Sequence, residues 1–133
     1  MAVIRLSRII DAHISDVFTA LTNQDYLARW FAPNVITIPV TETYAAFAFE
    51  EDIHLKVLLK ELEQNRKVVW EFAEGNLNWD ESVITFRLKE PEEGKTLLNF
   101  SHSGLKETAK LEKWKHSWSN FLDNLKNFTE NNK

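Results

Sequence analysis

The sequence predicts an α+β domain: a curved antiparallel sheet of about seven strands wrapped around one long C-terminal helix, with two short helices after the first strand. Three observations predict it. Between about Thr108 and Phe128, the residues Leu111, Trp114, Trp118, Phe121, Leu122, Leu125 and Phe128 recur at helical steps. They form an apolar arc of roughly 120° on one side of a helix. From Val35 to Ser103 the hydrophobic period is two, as in half-buried strands. No other stretch reads as a long helix, so the aromatic face of the last one needs a sheet to cover it.

The elements follow in order. Val3 to Ile10 alternates, with Ile4 and Leu6 on one face and Arg5 and Ser7 on the other. Ser15 is the expected cap of a short helix carrying Val17, Phe18 and Leu21, with Asp16 at the positive end of its dipole. Asn23 caps a second short helix bearing Tyr26, Leu27 and Trp30, which Ala32-Pro33 ends. Val35 to Val40 is β-branched, and Pro39 marks it as an edge or interrupted strand. Tyr44 to Glu51 puts Phe47 and Phe49 opposite Ala46 and Ala48. Ile53, Leu55, Val57 and Leu59 form the inward set of the next strand, and Glu63-Gln64-Asn65-Arg66 the turn after it. Val68, Trp70 and Phe72 point inward, followed by a turn at Glu74-Gly75-Asn76 and a run out through Leu77 to Asp80. Ser82 to Lys89 offers Ile84, Phe86 and Leu88, and Pro91-Glu92-Glu93-Gly94 is the clearest hairpin. Thr96 to Ser103 places Leu98, Phe100 and His102 on one face, and Gly104 is expected to end the strand. Short links between neighbouring strands imply an antiparallel meander. Asn131-Asn132-Lys133 should fray.

A chain of 133 residues without repeat, linker or low-complexity tract reads as one domain spanning residues 1–133. The formal net charge of −4 argues against general nucleic-acid binding, which draws on clustered Lys and Arg. Without cysteine there is no disulfide, thiolate metal site or cysteine nucleophile. No apolar run is long enough to span a membrane, and Arg5, Arg8 and Asp11 make the N-terminus unlike a signal peptide. A cytoplasmic protein is expected. Five Trp and nine Phe either fill a core or line a cavity for an apolar or planar ligand.

Several segments together resemble a known family. Ile14-Ser15-Asp16-Val17-Phe18-Thr19-Ala20-Leu21-Thr22 is similar to its opening VF-x-ALT helix, and Leu27-Ala28-Arg29-Trp30-Phe31-Ala32-Pro33 to its L-x-x-WW-x-P. Val69-Trp70 resembles its v-x-W strand, and Thr96 through Leu105 its T-x-L-x-x-x-H-x-G-L. Ser117-Trp118 and Phe121 through Leu125 resemble its closing GW-x-x-x-L-x-x-L helix. The chain thus resembles the START-like (SRPBCC, Bet v 1-like) superfamily and, within it, the C-terminal-domain-like form of the activator of heat-shock-protein-90 ATPase homologue family. It departs at Thr41-Glu42-Thr43, which lacks the hairpin's usual glycines, and at Ser117, where relatives often have Gly.

The resemblance implies a helix-grip fold with a cavity between sheet and closing helix. Its expected lining is Trp30, Phe47, Phe49, Leu55, Val57, Trp70, Phe72, Phe86, Phe100, His102, Trp114, Trp118 and Phe121, and its expected occupant a small hydrophobic or amphipathic molecule. A co-chaperone role on a heat-shock protein 90 type ATPase is the alternative. Trp30 is either a core anchor or a lid, and His102 either a hydrogen-bonded structural group or a pocket residue, as a ligand anchor or as the proton donor of a cyclase- or hydrolase-type enzyme. His13, His54 and His116 share no metal-ligand spacing, and no phosphate loop or Gly-x-Ser-x-Gly turn occurs. No metal, cofactor or catalytic residue is therefore expected.

Overall fold

The computed structural model describes residues 2–106 and 108–131. Strand β1 (Ala2–Ile10) leads into helices α1 (Ile14–Thr22) and α2 (Gln24–Trp30). The strands β2 (Asn34–Ile36), β3 (Tyr44–Ala48), β4 (His54–Glu63), β5 (Lys67–Gly75), β6 (Val83–Lys89) and β7 (Thr96–Leu105) follow, and α3 (Leu111–Asn131) closes the chain. The sheet order is β1-β7-β6-β5-β4-β3-β2, with every neighbouring pair antiparallel. After β1 the chain crosses to the far edge through α1 and α2, then meanders back until β7 lies beside β1. This is the helix-grip arrangement that the sequence predicts.

The sheet curves because its ladders carry irregularities. Opposite the neighbours Lys56 and Val57 stand Glu74 and Phe72, which leaves Ala73 as an extra residue on β5. Between Leu59 and Glu61 the register shifts again, so Lys60 is extra on β4. Such bulges bend a strand and increase its twist. The β1–β7 ladder shifts once more, because Ala2 faces Leu105 while Ile4 faces His102. Here Gly104 takes a left-handed φ of 79°. It therefore bends the strand rather than ending it, contrary to the sequence expectation, and β7 runs on to Leu105.

The α3 helix lies across the concave face with Trp118, Leu122 and Leu125 buried. Arg8, on the inward face of β1, reaches it. Its Nε donates to Asp123 Oδ1 at 2.8 Å and its Nη2 to Ser119 Oγ at 2.7 Å. One helical turn beyond, Lys126 Nζ donates to the Ile9 carbonyl at 2.8 Å and Glu130 Oε2 accepts from the Asp11 backbone N–H at 2.8 Å. Lys126 thereby covers the Ile9 carbonyl near the end of β1, an edge strand of the sheet. The Asp11 N–H and Lys126 hold the Glu130 carboxyl below the usual carboxylate range.

Other boundaries differ locally from expectation. The residue capping α1 is His13, in an extended conformation and without a side-chain cap bond, whereas Ser15 already lies inside the helix. Asn23 does cap α2, accepting from the Asp25 and Tyr26 N–H groups. The β-branched run from Val35 is a strand only to Ile36, because beyond it the backbone turns tightly at Pro39, with the Val40 N–H on the Ile38 carbonyl at 2.8 Å. A left-handed Glu42 (φ 65°) takes the place of the missing hairpin glycine. β3 stops at Ala48, and the tip beyond it, Glu51 and Asp52, is left-handed at both residues as a two-residue hairpin requires. The closing helix begins at Leu111 rather than Thr108, and Asn131 is still helical. The expected fraying of Asn132 and Lys133 lies outside the described residues.

Two glycines separate conformational strain from crowding. Gly94 (φ 80°) has open space where a Cβ would stand, whereas at Gly104 (φ 79°) a Cβ would sit 3.0 Å from the Glu81 carbonyl oxygen. Gly94→Ala should therefore cost about 1 kcal/mol from backbone strain alone, and Gly104→Ala about 2–3 kcal/mol. Urea unfolding of both variants measures the difference; equal losses would refute the close approach at Gly104.

Candidate functional site

The centre of the grip is full. Phe31 follows α2 and projects between sheet and helix, where it is 5% exposed. It stacks on Trp118 at 5.6 Å with an interplanar angle of 11°, and meets Phe121 at 4.9 Å, Phe47 at 5.0 Å, Phe49 at 5.1 Å and Trp70 at 5.6 Å. Leu55, Val57, Trp70, Phe86 and Phe100 are almost completely buried around this cluster. They pack into the hydrophobic core, and none of the five borders the space described next. Phe72 is partly buried at the edge of the same core. Trp30 is 2% exposed and its Nε1 donates to the Ala20 carbonyl at 2.7 Å, which makes it the anchor of the helical corner.

The space that remains lies toward one end of the grip. A cavity of about 130 Å³ is lined by Phe31, Phe49, Ile53, Leu77, Trp79, Trp114, Ser117, Trp118 and Phe121. Of the thirteen residues expected to line a pocket, it gathers Phe49, Trp114, Trp118 and Phe121. Its walls come from the start of α3, the β3–β4 hairpin and the segment joining β5 to β6. Asn76 ties the last two together: its Nδ2 donates to the Asp52 carbonyl at 2.7 Å and its Oδ1 accepts from the His54 N–H at 3.0 Å. Trp79 was invisible to strand periodicity because it falls in an irregular segment, although Leu77 and Trp79 at alternate positions between polar residues were a usable signal.

His102 lies behind this wall with no exposed surface. The Trp118 Nε1 donates to its Nδ1 at 3.1 Å, and its Nε2 is 2.9 Å from Ser82 Oγ. An indole nitrogen can only donate, so Nδ1 must be the unprotonated nitrogen and Nε2 carries the hydrogen and donates to Ser82. A histidine that activates a serine needs the opposite tautomer, with Nε2 free to accept the hydroxyl proton. In this arrangement His102 joins helix to sheet and is not a base for Ser82. Burial pushes its pKa down to about 3, so the ring is neutral across the physiological range. Trp79 meets the His102 ring edge-to-face at 4.6 Å, and its indole nitrogen has no hydrogen-bond partner among the described residues.

Three comparisons place this geometry among known proteins. The family model described as Activator of Hsp90 ATPase homolog 1-like protein matches residues 11–130. The solution structure of the Aha1 dimer from Colwellia psychrerythraea is 26% identical, with a TM-score of 0.88 over 98% of this chain and 97% of that one. A crystal structure of a protein from Mesorhizobium loti is 20% identical with a TM-score of 0.85, covering 99% of both chains. A solution structure of a Bacillus halodurans protein is 22% identical with a TM-score of 0.81, covering 98% of both. At those identities the last two show the fold alone. No curated protein matches the sequence.

The buried histidine sets a pH dependence. Unfolded, His102 binds a proton below about pH 6.5, whereas folded it does not until about pH 3. Over that window the unfolded state holds more protons, so stability is full above the upper limit and falls as pH falls, by at most about 1.4 kcal/mol per unit. Denaturant unfolding between pH 7 and 5, before carboxylates such as Glu130 contribute, should show this slope in the native sequence. In His102→Gln, whose amide can accept from Trp118 and donate to Ser82, the slope should be reduced. An unchanged slope would mean that His102 titrates in the folded protein.

Proposed function

The chain belongs to the Activator of Hsp90 ATPase homolog 1-like family, and on that premise we propose that it binds one small apolar or planar molecule in the cavity beneath Trp79 and Trp114. The observation that carries this reading is a partly open space walled by aromatic rings at one end of the packed core. Size sets the occupant. Pockets for drug-sized ligands measure roughly 300–1,000 Å³, whereas an apolar cavity of about 150 Å³ admits benzene. At about 130 Å³ the space suits a single ring or a short branched chain better than a hormone or a lipid tail. Ser117, the small residue where relatives often carry Gly, helps keep the space open. Selection is by shape and size, since neither acid nor base lines the wall.

Protein-observed NMR with toluene as the probe tests this. Saturable shifts are expected at Trp79, Trp114 and Phe121, and a long-chain fatty acid should produce none. Ser117→Leu fills the space and should abolish the toluene response while leaving the melting temperature equal or higher. A toluene response that survives in that variant would place binding elsewhere.

A second reading has its own support. The family description names an activator of an Hsp90 ATPase, and one corner of this chain exposes a run of apolar side chains. Ile36 is 75% exposed, Ile38 57%, Val40 49% and Tyr44 54%, along the β2 edge and the loop into β3. A contiguous apolar strip is what a protein partner covers. On this reading the chain engages a chaperone ATPase of its own cell through that strip. Purified chaperone ATPase should be stimulated by the native chain and at least fivefold less by an Ile36→Ser, Tyr44→Ser double variant; no stimulation by the native chain would eliminate the idea.

A further inference from the structure

The convex face of the sheet carries a feature unrelated to the cavity. Along β1, β7 and β6 the outward positions hold Arg5, Arg87 and Lys89 but no Asp or Glu, in a chain with 20 acidic residues and a formal net charge of −4. On the neighbouring strand β5 the residue beside Arg87 is Lys67, which neutralises Glu61 of β4 at 2.8 Å, and Glu71 stands beside Val83 at the far end of β6. A hollow of about 560 Å³ lies on the acid-free area, lined by Arg5, Ser7, Arg87, Asn99 and Ser101, with Leu6 and Phe100 beneath. Register fixes its plan. Ser101 stands opposite Arg5 on one side of β7, and Asn99 opposite Arg87 on the other. With sheet spacings this sets the two arginine Cα atoms about 12 Å apart, diagonally across a floor of hydroxyl and amide groups. Both guanidinium groups can swing over that floor, and neither Arg5 nor Arg87 has an ion-pair partner among the described residues.

We propose that this hollow binds a small phosphate-bearing molecule. Two unpaired guanidinium groups supply forked donors that match phosphate oxygens. Ser7, Ser101 and Asn99 supply neutral donors between them. The absence of carboxylates spares a dianion the repulsion that it meets on the rest of this acidic protein. The same confinement disfavours a nucleic-acid backbone, which needs a continuous stripe of cations.

The test is a ¹⁵N-resolved NMR titration of the full chain with inorganic phosphate and with pyrophosphate, at constant ionic strength maintained with sodium chloride. Saturable shifts are expected at Arg5, Ser7, Asn99 and Ser101, at millimolar concentrations or below. Arg5→Gln and Arg87→Gln should each weaken binding at least fivefold, and Lys106→Gln, on a distant loop, should not. Ser117→Leu should leave the titration unchanged, so a failed cavity reading and a failed phosphate site are distinguishable. Shifts that grow linearly without saturating, or that persist in both arginine variants, overturn the proposal. So does binding to phosphatidylglycerol vesicles without binding to soluble phosphate.

Discussion

The buried indole of Trp118 sits where helix, sheet and helical corner meet, and its one polar atom donates to His102 Nδ1 at 3.1 Å. An unpaired buried donor costs about 1–3 kcal/mol, so this bond specifies how α3 rotates over the sheet as well as stabilising it. Turning the helix by one residue would move the donor off His102 and present Ser117 or Ser119 to the core. The bond also fixes the imidazole tautomer, which directs the Nε2 hydrogen to Ser82 at the start of β6. One chain of two hydrogen bonds therefore joins α3, β7 and the segment that carries Trp79. The stacked Phe31 ring fixes the other face of the indole and brings the helical corner into the same assembly.

That assembly decides where space remains. In a sheet curled around a helix, the widest gap is at the middle, where the strands bow away. Here the bowed region receives Phe31 from outside the sheet, and six aromatic rings pack on it. The cavity is what this plug leaves uncovered, toward the β3–β4 tip and the β5–β6 segment. Both borders are loops with left-handed residues, at Glu51 and Asp52 and at Asn78 and Glu81. Hydrogen bonds through Asn76 rather than sheet pairing hold them together. The cavity is therefore walled on one side by α3 and the sheet, and on the other by two loops that Asn76 joins.

Much of the fold was legible because it rests on periodicity. Alternation located the strands and their inward faces, and the spacing from Leu111 to Phe128 located the helix and its buried arc. The errors fall where the backbone breaks its own period. Gly104 reads as a strand breaker in one dimension, but in the sheet it is a bulge that lets the ladder continue past Glu81. Ser15 has the chemistry of a cap, yet the extended backbone belongs to His13, two residues earlier. The site was less legible than the fold, for a related reason. Strand phase separates inward from outward, but it cannot separate an inward residue that packs from one that faces a void. Leu55 and Phe49 share a phase-based assignment, and only Phe49 borders the cavity. That distinction depends on Phe31, whose position after a helix gives no hint of how far it reaches.

The chemistry of the two sheet faces follows from this division. On the concave face every ionisable group except His102 and Arg8 has been excluded, and each of these two is spent on holding α3. The aromatic wall can discriminate by size but offers no proton donor or acceptor of suitable pKa, because the desolvation that makes the core stable also keeps His102 neutral. On the convex face, by contrast, side chains stay hydrated and the strand register rather than the core sets the spacing of Arg5 and Arg87. The acid-free area over β1, β7 and β6 lies on the same strand, β7, that carries His102 beneath it. Successive residues of that strand, Ser101 outward and His102 inward, thus belong to the polar hollow and to the helix clamp respectively. The pleat keeps the two environments apart within a single peptide step.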